Sequence, residues 1–128
     1  MEKFNPVGWF EIYVQDINRV KKFYEKALGY TLSDLQTPAE GITKMLAFTN
    51  TDAMDKPGAT GALVQMDGMA SGGNSVIVYF ISEDCSEESK VEALGGKVIK
   101  SKMSIDPHGF ISLCSDTEGN VFGLHSMK

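Results

Sequence analysis

Two stretches of the chain repeat one plan: Val14-Gln15-Asp16 leads into Ala27-Leu28-Gly29-Tyr30, and Ser82-Glu83-Asp84 leads into Ala93-Leu94-Gly95-Gly96. Asp16 and Asp84 stand 68 residues apart, and Gly29 and Gly96 stand 67 apart, in a chain of 128. A strand, a helix and a glycine stop therefore occur once in each half. At this length two such modules must share one core, and a paired module makes a cleft between its copies where a small molecule can bind.

The composition narrows the class of partner. A hydrophobic share of 42% and a charged share of 23% are those of an ordinary globular domain. No apolar run approaches the roughly 20 residues of a membrane span. The start, Met1-Glu2-Lys3-Phe4-Asn5-Pro6, has no apolar core and no small-residue cleavage site, so no secretion signal is read and a cytoplasmic address is expected. Cys85 and Cys114 are then expected to be reduced and structural. The net charge is -5 with twelve scattered Lys and Arg, which speaks against nucleic acid and mildly favours a cationic ligand.

Val7 to Val14 is rich in β-branched and aromatic residues and reads as a strand. Asp16 sits where an N-cap belongs, and Ile17, Val20, Phe23, Tyr24, Ala27 and Leu28 recur at helical spacing up to the stop at Gly29. Strands are expected at about 30–35, 43–48 and 59–66, separated by turns at 37–41 and 52–58. The second half repeats this. A strand at about 75–81 precedes a helix capped by Asp84, with Glu87 three residues on and a stop at Gly95-Gly96. Strands at about 97–102, 109–114 and 120–126 complete it. Asp106-Pro107-His108-Gly109 reads as a turn with His108 exposed at its tip.

This tandem βαβββ plan, with Phe23-Tyr24-Glu25-Lys26-Ala27-Leu28-Gly29-Tyr30 and a closing Asp116-Thr117-Glu118-Gly119-Asn120, resembles the glyoxalase/bleomycin-resistance/extradiol-dioxygenase superfamily, the vicinal oxygen chelate fold. The resemblance implies an α+β fold in which tandem βαβββ modules form a curved mixed-sheet half-barrel around a concave site. Residues 1–128 would then be one domain, with module 1 at about 5–67, module 2 at about 74–127 and a Gly-rich linker at 68–73. It also implies a homodimer. Functions in that superfamily range from metal-dependent isomerases and dioxygenases to metal-free proteins that sequester a drug.

Residues at the superfamily's metal-ligand positions decide between these. The resemblance places one ligand seven residues before each helix-capping aspartate, where this chain has Trp9 and Ile77, and another three residues after the Asn120 of the closing turn, where it has Gly123. None can coordinate a divalent ion. For the fourth position, Gly61 and Leu63 are inert, and only Gln65 offers an oxygen. No cofactor is expected. Zn, Ni, Mn or Fe would need a displaced site built from Glu11, His108 and His125, whose plainer reading is hydrogen bonding within the sheet.

Strand alternation then sorts the rest. Phe10, Ile12 and Val14 form the aliphatic set that should cover the helix, leaving Trp9, Glu11 and Tyr13 for the concave face. By the same rule Ile77, Tyr79, Val121, Gly123 and His125 point inward. Trp9, Glu11, Tyr13, Ile77, Tyr79, Gly123 and His125 are therefore the expected ligand-binding residues, with Glu11 and His125 the candidates for catalysis. Met45, Met54, Met66 and Met69 either line that surface or serve as ordinary core and loop residues. The expected function is binding of a small molecule in the cleft without metal. Two alternatives stand beside it: a lactoylglutathione-lyase-like enzyme with a rebuilt or acid/base site, and a dimeric interaction module whose cleft is filled.

Overall fold

A computed structural model describes residues 5–36, 41–48, 58–72 and 75–128. The element order is β1 (Val7–Tyr13), α1 (Ile17–Leu28), β2 (Ser33–Leu35), β3 (Ile42–Ala47), β4 (Thr60–Met66), β5 (Val76–Ile81), α2 (Glu88–Val91), β6 (Lys97–Ser104), β7 (Phe110–Ser115) and β8 (Val121–Ser126). The expected tandem βαβββ plan of an α+β fold is present. By packing, the chain divides into a unit of Phe10–Val76 and a unit of Met1–Trp9 with Ile77–Lys128.

In the first of these units β2, β3 and β4 are antiparallel neighbours. Helix α1 starts where the Asp16 carboxylate accepts the Arg19 N–H at 3.2 Å, and ends at Gly29, whose φ of 79° only glycine adopts without strain. Its inner ridge, Ile17, Val20 and Tyr24, meets Phe10 and Ile12 from β1 and Val14 just after it, over a core of Leu32, Leu46, Phe48 and Leu63. Rings interlock there, with Phe10 and Tyr24 each about 5.5 Å from Phe48. Burial of each fully covered side chain, such as Leu46 and Leu63, stabilises by about 1.5–3 kcal/mol.

Phe23 and Leu28, which the spacing also assigned to the helix stripe, are 62% exposed. They lie at the margin of a stripe that only three ridge residues fill. Strand β2 is likewise shorter than 30–35, because Tyr30 meets Phe48 edge to face and the Leu32 N–H goes to the Glu25 carboxylate instead of a strand ladder. That bond holds the Glu25 carboxyl below its ordinary pKa.

In the other unit β5 runs parallel to β8, which pairs antiparallel with β7, and β7 with β6, so the sheet is mixed. Helix α2 differs from expectation. The Asp84 carboxylate accepts the Ser86 N–H, only two residues on, and Cys85 takes a left-handed φ of 61°, so no helix can start there. The Glu87 carboxylate is taken by the Ser82 hydroxyl at 2.6 Å, so the expected capping box does not form. What remains is one turn of helix ahead of Gly95, at φ 97°.

Around the start of the expected linker, Asp67 N–H bonds to the Gly41 carbonyl and Gln15 Nε2 to the Met69 carbonyl, so residues 67–69 are fastened to the first unit. Gly73, Asn74, the turn residues 37–40 and 52–57, and Met54 lie outside the described residues. Among the described residues, no helix is long and apolar enough to cross a membrane.

Candidate functional site

Alternation along β1 divides its side chains as its sequence requires. Phe10, Ile12 and Val14 join the core under α1, which leaves Glu11 and Tyr13 for the opposite face. Tyr13 is 7% exposed, and its hydroxyl donates to Glu11 Oε1 at 2.6 Å. A short bond to an ionised acceptor is among the stronger kinds. Glu11 is half-buried, so the pair forms a fixed, partly desolvated carboxylate held by a phenol.

In the other unit, Ile77 and Tyr79 on β5 are buried. Tyr79 is the register partner of Gly123 on β8, and its ring lies over that glycine. His125 is half-buried with Nε2 2.6 Å from the His108 carbonyl. Because a carbonyl only accepts, Nε2 is the donor in this contact. Trp9 is half-buried in this unit.

Two expectations need correction here. His108 is half-buried rather than exposed, since its turn is pressed onto the end of β8: a Cβ on Gly109 would collide with the Ser126 carbonyl and stand 3.0 Å from Met127 Sδ. The main-chain carbonyl of His108, and not its ring, is what reaches His125. Val121, expected to point inward, is 42% exposed at the start of β8.

The donor set does not fit the metal that the fold family implies. Gln65 Oε1, the one candidate oxygen for the fourth position, accepts the Ile17 N–H at 3.1 Å and so serves the first turn of α1. Leu63 is wholly buried in the core, and a Cβ on Gly61 would meet the Phe10 carbonyl and stand 2.7 Å from Cγ of its ring. At position 123 a side chain would run into Tyr79. For the displaced set, Glu11 is engaged by Tyr13 and His125 Nε2 by a carbonyl. Among the described residues, no three His, Cys, Asp or Glu side chains are placed to hold an ion.

Sequence reading missed a polar cluster around α2. The Glu88 carboxylate accepts from Lys102 N–H at 3.1 Å and from the Ser112 hydroxyl at 2.8 Å, while Cys85 Sγ lies 3.2 Å from Ser126 Oγ. No motif marks such contacts, which join residues 14 to 41 positions apart. Both cysteines are free and buried, and burial pushes their thiols above the ordinary pKa. Neither is an activated nucleophile. Of the methionines, Met45 is core and Met66 and Met69 are half-buried.

Comparison with known proteins agrees with this architecture. A family model described as bleomycin resistance protein-like N-terminal matches residues 7–41. No curated protein matches the chain. Among solved structures, a hypothetical protein of Bacillus halodurans C-125 is similar at 14% identity and TM-score 0.66, over 95% of this chain and 94% of that one. A methylmalonyl-CoA epimerase variant of Streptomyces coelicolor, in complex with 2-nitronate-propionyl-CoA, is similar at 15% identity and TM-score 0.64, over 97% and 98%. The epimerase from Mycobacterium tuberculosis is similar at 13% and 0.64, over 96% and 88%. At these identities the likeness is one of fold, and that fold is the vicinal oxygen chelate type.

Proposed function

We propose that this chain, with its bleomycin-resistance-like fold, binds a small organic molecule without a divalent metal, and that Glu11 anchors the ligand. The observation carrying this reading is the Tyr13–Glu11 bond. A carboxylate serving only solubility stays in water, whereas this one is half-buried and clamped on the strand face turned away from α1. A carboxylate fixed in this way is oriented in advance for a ligand's donor or cation, which lowers the ordering cost of binding. A planar or amphipathic molecule bearing an amine or amidine fits, and the net charge of -5 favours it. The family-model match over 7–41, which contains both residues, supports the same reading.

The test is a thermal-shift screen of chelator-treated protein against planar aromatic amines and glycopeptide antibiotics, bleomycin included. Glu11→Gln should weaken the best hit by roughly tenfold or more, the worth of one charged hydrogen bond. Unchanged affinity in that variant would remove Glu11 from the site.

A second reading, a lyase- or isomerase-like enzyme, is favoured by His125, a half-buried imidazole whose ring is fixed by its Nε2 contact with the His108 carbonyl. Acyl-CoA thioesters in the same panel test it, since solved neighbours include methylmalonyl-CoA epimerases. Turnover that survives both Glu11→Gln and His125→Ala would rule out those catalytic roles.

A further inference from the structure

Gly123 has no conformational need to be glycine, because it is a strand residue of β8 outside the left-handed region. Its reason is space. Tyr79, its register partner across the parallel β5/β8 pair, is 5% exposed. A Cβ on residue 123 would overlap Cδ1 and Cε1 of the Tyr79 ring and stand 2.9 Å from Cγ. These are atoms near the stem of a rigid, buried ring, which cannot swing aside as the tip of a lysine or methionine can. A glycine covered by a cross-strand aromatic ring is also a favourable pairing in its own right, since the ring shields the bare backbone.

We infer that Tyr79 is a fixed plug over position 123, holding by packing the place where the resemblance puts a metal ligand. Position 123 is therefore not a vacancy that one substitution could refill. The neighbouring ligand position on β5, Ile77, is 6% exposed and apolar, so neither of the two marked positions on this strand pair offers a cation a donor. In the other unit Gln65 has been turned to an equivalent structural use, its oxygen spent on Ile17 N–H. The inference deepens the metal-free part of the reading above and does not depend on its ligand-binding part.

A double-mutant cycle with metal analysis tests it. Wild type, Gly123→Ala, Tyr79→Ala and the double variant are purified without chelator, dialysed against Zn2+, Ni2+ and Mn2+ separately, and assayed for bound metal and Tm. Gly123→Ala should lower Tm by roughly 5–10 °C, as overpacking does. In the Tyr79→Ala background the same change should cost less than half as much. Bound metal should stay well below one ion per chain throughout. Tyr79→Leu, whose flexible side chain can yield, replaces Tyr79→Ala if that variant does not fold. Equal Tm losses in both backgrounds would overturn the plug, and a stoichiometric ion in the wild type would overturn the inference whatever the variants do. Failure to bind any organic ligand, with these results intact, would sink the ligand reading alone.

Discussion

Gln65 Oε1 accepts the backbone N–H of Ile17 at 3.1 Å, so a side chain near the end of β4 satisfies one of the unpaired donors that open α1. Asp16 satisfies another through Arg19 N–H. Gln65→Ala should cost about 1 kcal/mol in urea unfolding, and Asp16→Ala about as much. The pair should be less than additive, because both act on one helix turn. Neutral Gln65→Ala would mean that water replaces the amide oxygen.

Glu88 ties α2 to β6 and β7 through Lys102 N–H and the buried Ser112 hydroxyl. Removing the carboxylate leaves two polar groups to be satisfied at once. Glu88→Ala should destabilise by about 2–3 kcal/mol, and Glu88→Gln, which keeps one acceptor oxygen, by roughly half of that. Chemical denaturation with unchanged m-values would measure both.

The two thiols should be silent in the native protein. Cys85 and Cys114 are 1% and 0% exposed, and burial holds both thiols neutral above their ordinary range. Iodoacetamide at pH 8 should label neither residue until the chain unfolds. A raised thiol pKa means that the unfolded state releases protons first. The associated stability is therefore complete below about pH 8.5 and is lost as pH rises above it. Stability that rose with pH in that range would contradict this.

Asp116 closes the turn before β8 with bonds from Asn120 Nδ2, Asn120 N–H and Glu118 N–H. These hold its carboxyl below the usual aspartate pKa, the Asn120 side chain contributing most. A lowered pKa stabilises above the unfolded value near about 3.9 and fades as pH falls through the folded one. Asp116→Ala should flatten the acid limb of the Tm-against-pH profile below about pH 4 and leave the limb above pH 8.5 as it is.

The first module was legible because its signals are local. Asp16, the helical spacing and Gly29 fix α1 within a dozen residues, and period-two alternation separates Phe10, Ile12 and Val14 from Glu11 and Tyr13. The second helix was not. Asp84 and Glu87 have the spacing of a cap, yet their carboxylates are claimed by Ser86 N–H and Ser82 Oγ, and nothing in the pattern reveals that competition. At the site, the absence of a donor at 123 could be read from the sequence, but the Tyr79 ring over it depends on strand pairing. His125 was legible as a polar residue on β8. Its partner was not, because the partner is a main-chain carbonyl that no side chain announces.

Metal-free binding of an organic molecule anchored by Glu11 is decided by titration calorimetry of chelator-treated protein. The probe is the strongest aromatic amine or bleomycin-type hit from the screen, titrated into wild type, into Glu11→Gln, and into wild type supplied with Zn2+ or Ni2+. The wild type should show saturable one-site binding, with the same affinity with and without the ions, and Glu11→Gln should lose roughly tenfold or more. Binding that appears only when an ion is supplied, or that Glu11→Gln leaves intact, would contradict this reading.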